Sequence, residues 1–302
     1  MSASRSELGC VGSGRLASAL LPRWRSAGWK IATVAGRNPE TTRALAQRVR
    51  ATPRLDLAGL ADGPPVVLLA VPDESIAPIA ERLAAHGDWG GRVVLHHAGA
   101  FGLELLAPLA KAGAAVGVLH PLQVMPGDPD DPLPEATRAR CEGAPAALRV
   151  ARRLARDAGL VALPAKLKWT PSTRTDYHIA ASLAANDLVA LIAAASKLIE
   201  SSGLSRRDAL EALLPLARGA LEQLEGRSPG QAVSGPVARG DAATLEAHLT
   251  RLQRRDRELH EIHRLLSSRV LRLAVEEGRV ADRARKRLRK LIAAGRGRGQ
   301  AV

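Results

Sequence analysis

The apolar positions of this chain fall into two textures. Over the first half, short aliphatic runs alternate with stretches in which apolar residues recur every three or four positions. The run Val66-Val67-Leu68-Leu69-Ala70-Val71 is unbroken by any polar residue, as expected of a central parallel strand covered on both faces. This pattern predicts strands beginning at Leu8 and at 29–35, 66–71, 92–95 and 115–119. Helices are predicted from Arg15 to about Gly28, at 75–85 and at 102–112. Pro22 should kink or end the first helix early. One further strand, helix and strand are expected over 137–165, at a sheet edge. From about Pro171 no strand pattern remains, and helices are expected at 174–202, 205–225 and 241–277. Alternating strands and helices argue for an α/β fold, a doubly wound parallel sheet followed by an all-helical domain. The expected boundaries are 1–168, 169–278 and a basic, flexible tail at 279–302.

The first strand runs into Gly12-Ser13-Gly14-Arg15-Leu16-Ala17. The spacing Gly12-x-Gly14-x-x-Ala17 between a strand and a helix is the dinucleotide-binding fingerprint of Rossmann-type domains. Gly12 allows the tight turn, Gly14 lets the backbone approach a pyrophosphate, and Ala17 lets the helix pack closely on its strand. The free N–H groups of the helix opening near Arg15 then face the phosphates. An ordinary βα turn is the alternative. No acidic residue stands at the end of the second strand, where an NAD site would place one on the ribose, and Arg37 is the first charged side chain there. That favours NADP over NAD, the alternative being a solvated Arg37 with Asn38 and Pro39 capping the next helix.

Composition changes this picture little. Aromatic residues are scarce (Phe101, Tyr177 and four Trp), so packing must rest on Leu, Ala and Val. Two cysteines, Cys10 and Cys141, are too few for a disulfide framework and form no CxxC pair. With no basic-then-apolar leader ahead of the first strand, cytoplasmic residence is expected. Residues 179–199 are apolar enough to resemble a membrane span, but Asn186, Asp187 and Lys197 interrupt them, and a buried helix suits them better. Of the formal charge of +14, the segment 279–302 contributes +8, nine Lys/Arg against one Asp, leaving +6 for the rest. A solvated tail is the simplest reading, and without interleaved aromatics it offers no platform for stacking single-stranded bases.

Ligands of open α/β sheets bind at the carboxyl ends of the strands. The polar residues expected there are Arg37, Asp73, His96, His97 and His120. As neighbours at a strand end, His96 and His97 should point to opposite sides. In the helical half, His178, Ser182 and Asn186 follow one another at intervals of four, which sets them on one helical face among alanines. Such a stripe either lines a cleft or is satisfied internally or at a subunit contact. His178 is the natural proton donor or acceptor near neutral pH, with Asn186 orienting a substrate oxygen or nitrogen.

Together these motifs resemble one family over nearly the full length. They are the glycine fingerprint, Val71-Pro72-Asp73, His97-Ala98-Gly99, Gly117-x-x-His120-Pro121-Leu122, Tyr177-His178 with Asn186, and Gly235-Pro236-Val237-Ala238-Arg239-Gly240-Asp241. The family is a bacterial group of Rossmann-like candidate NADP oxidoreductases whose C-terminal half is a domain of unknown function. It is similar in plan to the β-hydroxyacid dehydrogenases, ketopantoate reductase, pyrroline-5-carboxylate reductase and the deazaflavin-dependent NADP reductases, the 6-phosphogluconate dehydrogenase C-terminal-like group. The resemblance implies a helical dimerisation domain and a small-molecule substrate held between the domains. Where the hydroxyacid and ketopantoate relatives carry a catalytic lysine, this chain has none, although His178, Ser182 and Asn186 keep the spacing.

The expected activity is hydride transfer between NADPH and a small C=O or C=N substrate. The catalytic residues would be His178, Ser182 and Asn186, with His97, Gly99, His120 and Tyr177 binding substrate. Gly12, Ser13, Gly14, Arg15, Leu16, Arg37, Val71, Pro72 and Asp73 would hold the cofactor. A non-catalytic NADP-binding sensor or scaffold, with the tail as its partner contact, is the competing reading. A metal enzyme using His97, His120, His178 and Asp176 is disfavoured, because these residues are not set at ligand spacing.

Overall fold

The computed structural model describes residues 7–294 apart from 58, 59, 61, 127–130 and 165. The chain begins with β1 (Glu7–Val11), α1 (Arg15–Ser26), β2 (Lys30–Ala35), α2 (Pro39–Val49), β3 (Thr52–Arg54), β4 (Val66–Leu69), α3 (Asp73–Ala84) and β5 (Val93–His96). A 3₁₀ turn (Leu103–Leu106) leads into α4 (Ala107–Lys111), followed by β6 (Ala115–Pro121), β7 (Arg138–Gly143), α5 (Pro145–Asp157) and β8 (Val161–Ala162). The strands form one sheet in the order β3-β2-β1-β4-β5-β6-β7-β8. All neighbours run parallel except β6 and β7, which are antiparallel. From β1 the chain winds outward through β2 and β3, then returns to place β4 on the other side of β1. This reversal opens a crevice at the carboxyl ends of β1 and β4.

The unbroken apolar runs are explained by burial on both faces. Leu8, Cys10, Leu68 and Leu95 pack with Ala17, Leu20 and Trp24 of α1 and Leu154 of α5. The alternate residues Val11, Val67, Leu69 and Val94 pack on the opposite face with Ile76 and Leu83 of α3 and with Leu109 of α4. The doubly wound arrangement expected from the sequence is therefore present, extended by an antiparallel edge.

The helices continue with α6 (Pro171–Ser182), a widened π turn (Leu183–Asp187), α7 (Leu188–Glu200), α8 (Arg206–Glu222), α9 (Pro229–Ala232), α10 (Ala242–Arg255), α11 (Arg257–Glu276) and α12 (Asp282–Ala294). The chain divides into two compact units, Met1–Asn186 and Asp187–Val302. The first extends beyond the expected boundary at 168 because α6 is tied to β6 and β7 through side chains described below. In the second unit, Val237, Ala238, Leu245, Leu249, Leu271, Leu288 and Ile292 form the core.

Several expectations are corrected. Helix α1 runs through Pro22 without a break; its buried Leu20, Leu21 and Trp24 anchor it on both sides of the proline. It ends two residues short of Gly28, which takes φ +93° as the turn residue. Short β3 carries no apolar signature, since Thr52, Pro53 and Arg54 are all exposed. The expected helix 241–277 is broken at Asp256, which adopts an extended conformation and caps α11 by accepting from the Leu259 N–H at 2.9 Å. The expected flexible tail is helical over Asp282–Ala294, because Leu288 and Ile292, one turn apart, are buried among the basic residues. The last residues of that tail, 295–302, lie outside the described residues. Finally, the stretch Pro171–Glu200 is long and apolar enough to cross a membrane, yet only 6% of its apolar window is buried. The expectation of a buried helix is not met within one copy of the chain.

Candidate functional site

At the ends of β1, β2 and β4 lies a cleft of about 910 Å³ lined by the Gly12–Gly14 turn, Gly36 to Pro39, Val71, Pro72, Ser75 and Arg82, among others. Gly12 sits at φ +113°, and a Cβ there would overlap the Ala70 carbonyl, so the turn demands glycine. Its N–H donates to the Ala35 carbonyl at 2.7 Å. Gly14 differs: nothing lies within 4 Å of where its Cβ would stand, and it leaves room for a ligand to approach the backbone. Helices α1 and α3 begin at this edge of the sheet with no side-chain cap, so their free N–H groups and positive dipole ends favour an anion there.

Asn38 caps α2, accepting from the Glu40 and Thr41 N–H groups at 2.9 and 3.1 Å. Neighbouring Arg37 is exposed on the cleft wall and forms no ion pair among the described residues. The hydroxyls of Ser13 and Thr41 are 2.8 Å apart, and Thr42 donates to Ser13 Oγ at 3.3 Å, which joins the fingerprint turn to the start of α2. Of the expected cofactor residues, Gly12, Ser13, Gly14, Arg37, Val71 and Pro72 line the cleft. Leu16 packs on the core instead, Arg15 is exposed at the first position of α1, and Asp73 acts electrostatically on His97. Thr41, Thr42 and Ser75, in first turns, and Arg82, in the last turn of α3, were not singled out by sequence, since isolated polar residues in helix end turns carry no distinctive pattern.

Two strands further along the same edge, a second group assembles around buried Gly99. The His96 ring turns inward: Nδ1 accepts from the Ala98 N–H at 3.0 Å, so Nε2 carries the hydrogen and donates to the Gly102 carbonyl at 2.8 Å. Burial, with Arg140 and His97 nearby, pushes its pKa down to about 4. Burial likewise lowers the pKa of His97, against the pull of Asp73. His120, near the end of β6, and His178 of α6 both reach Gly99. A Cβ on Gly99 would stand 2.8 Å from His120 Nε2 and 2.8 Å from His178 Nδ1, so the two ring nitrogens are no more than twice that distance apart. The Tyr177 hydroxyl is 3.0 Å from His120 Nδ1, and its ring meets those of His120 and Trp169 edge-on, with centroids 5.5 and 5.3 Å apart.

Beneath this group lies an ion cluster that the sequence reading missed. Arg140 is fully buried in β7. It donates to the Ala98 and Phe101 carbonyls at 2.9 and 2.6 Å and to Glu142 at 3.2 Å. Its guanidinium sits 5.2 Å from the Trp169 ring centroid and 5.9 Å from that of Tyr177, close enough for cation–π attraction. Arg174 of α6 donates to both oxygens of Glu142 and lies 3.9 Å from Glu104. A single signal could have flagged this cluster: β7 reads Arg138-Ala139-Arg140-Cys141-Glu142, placing Arg140 and Glu142 on one face of the strand.

Burial is the main cause of the low His120 pKa, pushed to about 3, with Arg140 and the other histidines adding to it. The Tyr177 phenol is pushed up to about 12, mainly by burial. Both groups are therefore neutral through the physiological range. His178 is exposed. None of the described hydrogen bonds ties Ser182 or Asn186 to this group, and the π turn over Leu183–Asp187 interrupts the 3.6-residue period that set Asn186 on the His178 face. Among the described residues no group of three or more His, Cys, Asp or Glu could hold a metal ion.

Residues 1–121 match the family described as a Rossmann-like domain, and residues 138–270 match that described as Domain of unknown function (DUF2520). The chain thus carries the pair of domains that its motifs resemble. No curated protein matches it. Among solved structures it is similar to a candidate NADP oxidoreductase from Bacteroides fragilis, at 20% identity over 89% of this chain and 99% of that one, with a TM-score of 0.72. It is also similar to a pyrroline-5-carboxylate reductase from Coxiella burnetii, at 17% identity over 95% and 98%, TM-score 0.54. A reductive aminase from Aspergillus terreus, in complex with NADPH and ethyl-5-oxohexanoate, is similar at 14% identity over 96% and 93%, TM-score 0.58. At these identities the likeness establishes a shared fold.

Proposed function

We propose that the chain is an NADP-dependent oxidoreductase that moves hydride between the nicotinamide and a small C=O or C=N substrate. One observation carries this reading: the cleft over the Gly12–Gly14 turn and the Gly99 group lie on the same strand-end edge of one sheet, at β1, β2 and β4 and at β5 and β6. The cleft fits a dinucleotide, with a glycine turn that tolerates no Cβ at Gly12, open space at Gly14 and two uncapped helix N-termini for phosphates. Arg37, without a carboxylate partner among the described residues, suits a 2′-phosphate. The bound nicotinamide supplies the hydride. NADP enzymes among the structural neighbours support the cofactor assignment.

On the protein side, His178 exchanges the proton at the substrate heteroatom, being the exposed imidazole of the Gly99 group. His97, His120 and Tyr177 shape the substrate's surroundings with the backbone of Gly99. Ser182 closes α6 one turn beyond His178, whereas Asn186 lies in the π turn that follows and takes no part in this proton transfer. A homodimer formed through the second unit accounts for the apolar residues left exposed there, including Val189 at 69% and Leu216 at 70%. A lower sedimentation coefficient for Leu216→Glu than for the native chain would bear this out; a native chain that sediments as a monomer would refute it.

Titration with NADPH and NADH, followed by nicotinamide fluorescence, tests the whole reading. Micromolar NADPH affinity, about 8 kcal/mol, with NADH at least roughly tenfold weaker, supports it and justifies a screen of carbonyl and imine substrates. If neither nucleotide binds, the glycine turn is structural only and the oxidoreductase reading falls.

A further inference from the structure

The Gly99 group contains two imidazoles in different settings. His178 is exposed on a helix. His120 is half-buried on a strand, and one of its two nitrogens is already committed, with Nδ1 3.0 Å from the Tyr177 hydroxyl. That contact has two possible polarities. Either Tyr177 donates to Nδ1, leaving the hydrogen on Nε2, or Nδ1–H donates to the phenol oxygen, leaving a lone pair on Nε2. Chemistry selects the first. An imidazole sp² nitrogen accepts better than a phenol oxygen, whose lone pair is delocalised into the ring, and a phenol O–H is the stronger donor of the two. The second polarity would also leave the phenol hydrogen needing another acceptor, and no other hydrogen bond to Tyr177 Oη is described.

We propose that His120 is a second catalytic group, whose Nε2–H donates a hydrogen bond to the heteroatom of the substrate's C=O or C=N bond while Tyr177 holds the tautomer. This rests on the oxidoreductase reading above and divides the chemistry between two histidines. As hydride adds to a carbonyl carbon, the π pair moves onto the oxygen. His120 stabilises the growing charge through a hydrogen bond that it keeps throughout, and the proton that completes the hydroxyl comes from His178. His120 cannot exchange these roles with His178: burial, reinforced by Arg140, keeps it neutral, and a neutral imidazole is a fixed donor. Neutral imidazoles serve as electrophilic donors to carbonyls elsewhere in enzymology, and a donor aimed at developing charge in a water-poor site is among the strongest catalytic devices.

The structure also explains why Nε2 is held in place. Arg140 fixes the Ala98 and Phe101 carbonyls on either side of Gly99 and lies within cation–π reach of Tyr177. Arg174, three residues before Tyr177, locks α6 to Glu142 of β7. The Tyr177 hydroxyl, His120 and the backbone at Gly99 therefore share one rigid support.

The test begins with long-range ¹H–¹⁵N NMR of the histidines in the full chain at pH 7, loaded with NADP⁺. His120 is expected to show a protonated Nε2 and a bare Nδ1, and Tyr177→Phe should shift that tautomer balance. Steady-state turnover with NADPH, on a small cyclic ketone and a cyclic imine, should fall roughly 10²-fold in kcat for His120→Ala. His120→Gln, whose amide can still donate, should recover part of that loss, and NADPH affinity should change little in either variant. Thermal melts of each variant separate a folding defect from a catalytic one, with the near-isosteric Tyr177→Phe as the second probe. A hydrogen found on Nδ1, or a folded His120→Ala enzyme that turns over like the native one, overturns the inference alone. A native chain that binds no NADPH, or binds it without turnover, overturns it together with the oxidoreductase reading.

Discussion

Arg174 grips both carboxylate oxygens of Glu142, with Nε donating at 3.2 Å and Nη2 to the second oxygen, and so fastens the helix carrying Tyr177 and His178 to the antiparallel edge of the sheet. The same carboxylate accepts from fully buried Arg140 at 3.2 Å. One acid thus compensates two guanidinium groups.

Removing that charge should be costly. Glu142→Gln removes the carboxylate that two buried cations share, leaving Arg174 only the more distant Glu104 and Arg140 only backbone carbonyls, and a loss on the order of 3–5 kcal/mol is expected. Urea unfolding checks this; a shift in stability below about 1 kcal/mol would show that the cluster is solvated and that Glu142 is not its keystone.

Gly99→Ala should disable turnover while sparing the cofactor. The added methyl would stand 2.8 Å from both His120 Nε2 and His178 Nδ1, so one or both rings must move. Displacements of this size cost roughly 10²-fold in rate when they misplace reacting groups. NADPH affinity by fluorescence should stay near the native value, and a variant with native kcat would contradict the assignment of this group.

Arg37→Ala separates the two nucleotides. A hydrogen bond to a charged group contributes about 1.5–3 kcal/mol, so NADPH binding should weaken roughly 10- to 100-fold. NADH, which lacks the 2′-phosphate, should bind about as before. Equal losses for both would mean that Arg37 contacts a part that the two nucleotides share.

Acid should destabilise the first unit through its buried histidines. His96 and His120 are held neutral in the fold, with pKa values lowered to about 4 and about 3. Once unfolded, each imidazole titrates near its ordinary value of about 6.5. Below that pH the unfolded chain takes up protons that the folded chain refuses. Stability therefore holds above about pH 7 and falls by up to roughly 1.4 kcal/mol per pH unit per histidine as acidity increases, levelling off for each only below its folded value. Urea midpoints between pH 7.5 and 4.5 should follow this slope, and His120→Gln should make it shallower; a flat native profile would be inconsistent with neutral buried imidazoles.

In the second unit, Leu288→Ala should cost roughly 2–5 kcal/mol. Its side chain is fully buried in a helix that reads, by charge, as a solvated tail. A variant as stable as the native chain would mean that this helix is dispensable to the core.

What the sequence determined by itself was set by local rules. The six-residue aliphatic run at 66–71 could only be a strand covered on both faces, and the Gly12 turn needed a residue free to take φ +113°. Period and turn chemistry are written along the chain, so the alternating sheet, the helical second half and the cleft-lining glycines were legible. His97, His120 and His178 were named from strand ends and spacing, and Gly99 and Tyr177 from the motifs that carry the family resemblance. What the tertiary structure alone decided was their company. Arg140 reaches the carbonyls flanking Gly99, and Glu142 reaches Arg174, only because β7 turns back antiparallel beside β6 and α6 folds onto it, and no local pattern records that pairing. The approach of the Tyr177 hydroxyl to His120, the turn after Ser182 and the burial of Leu288 likewise depend on neighbours distant in sequence. Such contacts arise from side-chain burial and charge compensation across the fold, whereas a sequence read by itself displays only the intrinsic preferences of each stretch.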